Sequence, residues 1–237
     1  MKPDFDILVV GGGMVGACFA ALAAADRELL DLRIALLEAR PPESAPDAGV
    51  GLRVSAISPA SRRILHACGA WQWLPETHLS PYTDMIVWDA AGRAGGAASI
   101  HFSASDTSEP NLGHIVENRR VQWALYESRA LRRVTVLRAE LAGLAFEADA
   151  ATVTLSDGRR VSASLVVGAD GADSPSRRLA GLETAGWSYD QHAFVTHVRT
   201  ERPHRSTAWQ RFLPDGPIAF LPLADGRSST VWSTSPA

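Results

Sequence analysis

The chain has 237 residues, 46% of them hydrophobic and 21% charged, a profile that fits a soluble globular protein of one large domain or two interleaved ones. Its formal charge is −3 and no basic run exceeds two or three residues, so nothing favours nucleic acid as a partner. No apolar run reaches the roughly 18 residues of a bilayer span, and the only cysteines, Cys18 and Cys68, suit a reducing compartment better than a disulfide framework.

The N-terminal stretch carries Asp4 and Asp6 and is broken by glycines, unlike a signal peptide. A cytoplasmic location is therefore expected, with peripheral membrane association left open. Phe5 to Val10 reads as a short buried strand. Gly11, Gly12 and Gly13 break it, and the alanine-rich run from Met14 to about Asp26 reads as a helix. Arg33 to Glu38 is a second apolar strand, so the chain opens with a β–α–β unit and a parallel sheet. Arg40 to Gly51 is a loop. Ser58-Pro59 predicts a helix start and Gly69 its stop. Asp84 to Asp89 and Ser99 to Ser103 read as strands, Arg119 to Leu131 as a helix, and Val134 to Leu137 as a strand. Ala151 to Leu155 and Arg160 to Ser164 flank the turn Ser156-Asp157-Gly158 and predict a hairpin. Leu165 to Val167 is a further buried strand. Beyond Gly181, four strands separated by Asp-Gly turns (His192–Arg199, Ser206–Phe212, Ile218–Leu223 and Ser229–Thr234) predict an antiparallel sheet.

Gly11-Gly12-Gly13-Met14-Val15-Gly16 fits the dinucleotide fingerprint G-x-G-x-x-G, here placed between a strand and a helix. Glu38 closes the next strand, 38 − 16 = 22 residues beyond Gly16, near the roughly 20 that the fingerprint expects. Gly11 permits the tight turn. Gly13 lets a pyrophosphate approach the backbone, and Gly16 lets helix and strand pack closely. The N–H groups of the first helical turn, at Met14 and Val15, face the phosphates together with the positive end of the helix dipole. Glu38 can accept from both hydroxyls of a ribose. The loop by itself leaves FAD and NAD as alternatives.

A second motif, Gly168-Ala169-Asp170-Gly171-Ala172-Asp173-Ser174, follows a predicted strand. With Gly11–Gly16, Glu38, Arg53-Val54-Ser55-Ala56-Ile57-Ser58-Pro59, Glu117-Asn118-Arg119 and the stretch from Trp209 to Pro236, it resembles the class A flavoprotein monooxygenases, and within them the ubiquinone-biosynthesis hydroxylases. The resemblance implies an α/β fold in which a Rossmann-like FAD-binding domain, a parallel sheet with helices, is interleaved with an antiparallel-sheet substrate domain. The expected division is 1–75 and 112–180 for the first, 76–111 and 181–237 for the second. It implies FAD as cofactor, NADH or NADPH as co-substrate, and transfer of oxygen from O2 to an electron-rich ring. The flavin carries that chemistry and the protein orients it.

The same resemblance assigns Gly11, Gly13 and Gly16 to the pyrophosphate and Glu38 to the adenosine ribose. It places Arg53 beside the flavin; Arg40, in the loop after the second strand, is a candidate for the adenosine end from its position, with plain solvent exposure as the alternative. Arg119 goes to the phosphates, where a planar guanidinium suits paired oxygens. Gln122 goes to the ribityl or ring, and Asp170 with Gly171 to an Asp-Gly motif serving both FAD and the nicotinamide donor. The family's third motif, a Gly-Asp followed by histidine downstream of the sheet, is not found here, so the expectation is an incomplete hydroxylase that by itself holds FAD weakly and does not turn over.

The expected substrate is an aromatic small molecule or a prenylated lipid, most specifically a polyprenylated phenol in ubiquinone synthesis. A small soluble phenol and a non-catalytic scaffold in a ubiquinone-synthesis complex are the alternatives, and a homo-oligomer stays open. The histidines have no metal-ligand spacing, so no metal site is expected. His197 and Arg199 alternate on a predicted strand and are candidates for a substrate-facing side. The seven tryptophans are assigned mostly to core packing.

Overall fold

A computed structural model describes residues 2–235; Pro236, where the resembling stretch ends, lies outside them. In chain order the first elements are β1 (Phe5–Val10), α1 (Met14–Ala25), β2 (Ile34–Leu37), β3 (Val54–Ile57), α2 (Pro59–Ala67), β4 (Ser80–Tyr82), β5 (Asp84–Asp89) and β6 (Ser99–Ser103). Next come β7 (Gly113–Glu117), α3 (Asn118–Glu127), β8 (Thr135–Leu137), β9 (Leu141–Phe146), β10 (Ala151–Leu155), β11 (Arg160–Gly168) and α4 (Pro175–Leu179). The chain finishes with β12 (His192–Val198), β13 (Thr207–Leu213), β14 (Gly216–Pro222) and β15 (Ser228–Thr234).

Two compact units divide the chain. One comprises residues 2–46, Ile64–Trp73 and Arg120–Ala185; the other comprises Asp47–Arg63, Leu74–Arg119 and residues 186–235. Segments 47–63 and 112–119, expected with the first domain, fall in the second unit because β3 and β4 both pair with β7 in a three-stranded antiparallel sheet. Backbone pairing between distant segments overrides their position in the sequence.

The first unit holds a six-stranded sheet in the order β8-β2-β1-β11-β10-β9. β8, β2, β1 and β11 run parallel, and β11, β10 and β9 form an antiparallel meander. Strands covered on both faces should be apolar throughout, and Leu8, Val9, Ala35 and Leu36 are wholly buried. The segments predicted separately as Arg160–Ser164 and Leu165–Val167 are one strand. β11 pairs with β10 along its first half, and its second half continues alongside β1. α1 lies close to its surroundings because its buried face is small: Ala17, Ala20 and Ala21 are fully buried. Its last turn is capped by Arg133, which donates to the Ala24 carbonyl at 2.8 Å and also reaches the Leu30 carbonyl in the turn that follows, at 3.3 Å.

α3 stops at Glu127, short of the predicted Leu131. The cause is Ser128, fully buried, whose hydroxyl accepts from the Leu131 N–H at 3.2 Å and so starts a separate 3₁₀ turn. Cys18 and Cys68, distant in sequence, are both free, and the buried Cys68 thiol donates to the Leu65 carbonyl at 3.4 Å.

The second unit adds a six-stranded sheet, β12-β15-β14-β13-β5-β6. The expectation of a purely antiparallel sheet is corrected at one place: β13 and β5 are parallel, because β5 comes from the earlier segment and slots between β13 and β6. The tryptophans are also less central than expected. Trp71 is buried at 8% exposure, whereas Trp187 is 78% exposed. The exposed Trp73 with the half-buried Trp123, and the half-buried Trp88 with Trp209, form edge-to-face pairs with centroids 6.3 Å apart. Among the described residues, no helix is long and apolar enough to cross a membrane.

Candidate functional site

β1 ends where its buried run meets glycine. Gly11 has φ +97°, a left-handed value that L side chains rarely adopt, and a Cβ there would sit 2.5 Å from the Ala169 carbonyl oxygen. The Gly11 N–H donates to Leu37 O at 2.9 Å, and the Ala169 N–H donates to Val10 O at 2.7 Å, so the ends of β1, β2 and β11 are laced together around the loop. Gly16 faces back onto the loop, where a Cβ would run into the Gly11 carbonyl oxygen and lie 3.0 Å from Ala169 Cβ. These two glycines do what the fingerprint requires of them: one turns the chain and one lets the helix approach.

Gly13 behaves differently. It is exposed, its backbone is extended (φ −65°, ψ −175°), and, its chain neighbours aside, no heavy atom of the described residues lies within 4 Å of where its Cβ would be. It is the N-cap of α1 and offers no side chain to the first turn, whose N–H groups have no intrahelical partner. Met14 is half-buried and Val15 is 75% exposed, so the backbone at this helix end is accessible. An open approach to unsatisfied N–H groups at the positive end of a helix is the setting for an anion.

Glu38 points toward this bend. Its Oε2 accepts from the Gly12 N–H at 2.8 Å and its Oε1 from the Arg40 N–H at 2.9 Å. Each oxygen keeps lone-pair capacity for a further donor such as a sugar hydroxyl. Gly11, Glu38, Arg40, Asp170 and Asp173 line one groove of about 460 Å³. The Arg40 side chain is exposed.

Gln122, assigned from the resemblance to the flavin side, donates from Nε2 to the Gly12 carbonyl at 2.9 Å. Tyr126 donates to the same oxygen at 3.1 Å. Sequence reasoning missed Tyr126 and the part played by Gly12. The available signal was the i, i+4 spacing of Gln122 and Tyr126, which puts both on one helix face. Burial, and then the negative charge of Glu38, raises the Tyr126 phenol above its ordinary value, so it stays a protonated donor.

Asp170 faces inward. Its Oδ1 accepts from Ser174 Oγ at 2.5 Å and Ser176 Oγ at 2.9 Å, and its Oδ2 accepts from the Ser176 N–H at 2.8 Å. Burial pushes its carboxyl upward, but these donors outweigh burial and hold it below the ordinary value. The Asp-Gly motif therefore fastens the start of α4, with Ser174 as N-cap to Arg177 N–H. Gly171 follows at φ +88° with open space around it.

The second unit carries the remaining candidates. Arg119 is exposed and its Nε donates to Oε1 of the buried Glu117 at 2.7 Å. Gly51 leaves room for that pair, since a Cβ there would lie 2.5 Å from Glu117 Oε1. Arg53 is exposed, and its carbonyl accepts from Asn118 N–H at 2.9 Å. His197 is half-buried on β12, opposite the fully buried Ser229, and its side-chain Nε2 has no hydrogen-bond partner among the described residues. Burial, and then Arg227, keeps its pKa low. Arg199 lies just beyond β12 and is exposed. Next to His197 on the same face runs a half-buried cross-strand row of Val195, Val231, Ala219, Gln210 and Val87.

A family model described as an FAD binding domain matches residues 4–236. The chain is 37% identical over 247 residues to the rat ubiquinone biosynthesis monooxygenase COQ6, mitochondrial, covering 98% of this chain and 51% of that protein. It is 35% identical to the 3-demethoxyubiquinol 3-hydroxylase of Escherichia coli K12, covering 98% of this chain and 58% of that one. The chain thus spans about half the length of the curated relatives it matches. Among solved structures, a mutant of Pseudomonas aeruginosa PqsL aligns with TM-score 0.75 at 20% identity, over 98% of this chain and 61% of that one. The p-nitrophenol 4-monooxygenase PnpA of Pseudomonas putida aligns with TM-score 0.73 at 18% identity, over 100% and 59%. These two likenesses establish a shared fold.

Proposed function

The chain belongs to the FAD-binding-domain family of flavoprotein monooxygenases, and from that membership we propose that it supplies the dinucleotide grip and substrate sheet of an aromatic-ring hydroxylase that uses NADH or NADPH and O2 on a polyprenylated phenol in ubiquinone biosynthesis. The observation that carries the cofactor half is the bend at Gly11–Gly13, with the start of α1 open at the exposed Gly13 and with Glu38 turned toward it. The residues present fit FAD: the first turn of α1 faces the diphosphate and Glu38 the ribose next to it. Arg40 stands at the adenosine end. Arg53, Arg119 and the Asp170–Gly171 turn are assigned to the cofactor by the family resemblance alone.

When bound, the flavin takes electrons from the nicotinamide and activates O2 for insertion into an electron-rich ring. The chain's own part is to bind and orient. The apolar row from Val195 to Val87 suits a hydrophobic ring or prenyl chain, and Gln210 within it supplies one polar contact. The relatives named for ubiquinone intermediates support the substrate class.

The test uses the protein that contains this chain. Its oxidation of NADH or NADPH is measured with a polyprenylated phenol and, separately, with a small soluble phenol, and products are weighed by mass spectrometry. The reading expects a product one oxygen atom heavier from the prenylated substrate. Hydroxylation of the soluble phenol alone overturns the substrate assignment, and absence of bound flavin overturns the cofactor assignment.

A further inference from the structure

We propose that Tyr126 and Gln122 are positioning residues that fix the orientation of the peptide between Gly12 and Gly13, so that its N–H faces the diphosphate. The proposal rests on the cofactor reading above.

In a trans peptide the carbonyl and the N–H point in opposite directions, and there are no cis bonds among the described residues. The Gly12 carbonyl receives Gln122 Nε2 at 2.9 Å and the Tyr126 hydroxyl at 3.1 Å, both from α3. The Gly13 N–H therefore points away from α3, and a Cβ on Gly13 would meet no described heavy atom within 4 Å beyond its chain neighbours, so the residue is open to a ligand. The other backbone group of Gly12, its N–H, is held by Glu38 at 2.8 Å. Three side chains thus grip one residue that has no side chain of its own. Gly12 is buried between them: a Cβ there would overlap the Tyr126 hydroxyl and lie 2.6 Å from Glu38 Cβ.

The grip matters because consecutive glycines have more backbone freedom than any other sequence. Without ties, the Gly12–Gly13 peptide can rotate and present its carbonyl oxygen to an anion, which repels it. Two donors on that oxygen remove the rotated state. The ordering cost is met when the chain folds rather than when the ligand arrives, which is how preorganisation raises affinity. Tyr126 is suited to the task because its phenol remains a donor beside the Glu38 carboxylate.

The experiment uses the whole chain, with ADP and adenosine as probes read by ligand-observed NMR, which resolves millimolar affinities. Tyr126→Phe keeps the ring and removes the hydroxyl; Gln122→Met keeps the length and removes the donor. Each is expected to weaken ADP about fivefold, the double variant by more than about tenfold, while adenosine changes by less than about twofold. The ratio of the two affinities within one variant cancels any loss of folded protein. An unchanged ratio, whether both probes weaken together or neither does, overturns the positioning role. If ADP shows no binding to the unsubstituted chain, the cofactor reading itself fails, a different outcome from an unchanged ratio.

Discussion

Gly13→Ala separates binding from folding more cleanly than any other substitution in the loop. The Gly13 backbone lies at φ −65° and ψ −175°, which alanine adopts without strain, and no heavy atom lies within 4 Å of the new methyl. Two small effects act on the empty protein. Alanine restricts the unfolded chain, worth about 0.4–1 kcal/mol in favour of folding. Alanine is also a poorer N-cap than glycine, which costs a comparable amount. They nearly cancel, leaving less than about 1 kcal/mol of either sign, or a shift in Tm of no more than about 4 °C for a chain of this size. Binding is another matter, because the methyl stands where a diphosphate must approach the N–H groups. The expected result is a loss of FAD or ADP affinity of at least about tenfold, with a melting curve close to that of the parent. Calorimetric titration alongside differential scanning calorimetry measures both. A variant that binds as tightly as the parent would show that the phosphates do not come to this loop, and a variant that melts far lower would show that Gly13 is a packing residue.

Gly16→Ala should behave in the opposite way, since its methyl collides with the Gly11 carbonyl oxygen; it is expected to cost about 2 kcal/mol or more, seen as a lower Tm of the empty chain. Asp170→Asn removes a carboxylate that accepts three donors and should cost about 1–2 kcal/mol at neutral pH in a denaturant titration. Because the folded Asp170 carboxyl titrates below its ordinary value, its contribution is present above about pH 4 and disappears as the pH falls through the lowered value, so the parent's stability should drop there more steeply than that of the asparagine variant. Tyr126 has the reverse sign: its pKa is raised in the folded chain, so stability holds up to about pH 10 and declines above it as the unfolded phenol ionises. Tyr126→Phe should remove that part of the alkaline slope, and an unchanged slope would place the phenol in contact with water instead.

The segments readable in advance were those whose signal is local. β1, the glycine bend and α1 follow from an apolar run meeting three glycines and then alanines, and β5 and β6 have the predicted bounds. Glu38 facing the bend could be expected from its spacing, because a parallel β–α–β unit brings the ends of β1 and β2 side by side whatever the intervening residues. The burial of β7, and its pairing with β3 and β4, had no comparable signal, since it depends on partners far along the chain. β5 likewise enters the second sheet parallel to β13 through a long connection that alternation of side chains does not encode.

The candidate site divides along the same line. The conformational needs of Gly11 and Gly16 are properties of a bend that the local residues specify, so the sequence by itself determined them. Whether Gln122 points at a ligand or at the chain, and whether Asp170 faces outward or ties down α4, depends on which polar atoms come within about 3 Å after folding. Buried and half-buried polar groups must find partners, and the nearest ones, the Gly12 carbonyl and the serines after Asp170, become neighbours only when the chain closes on itself. Tertiary structure alone decided those bonds.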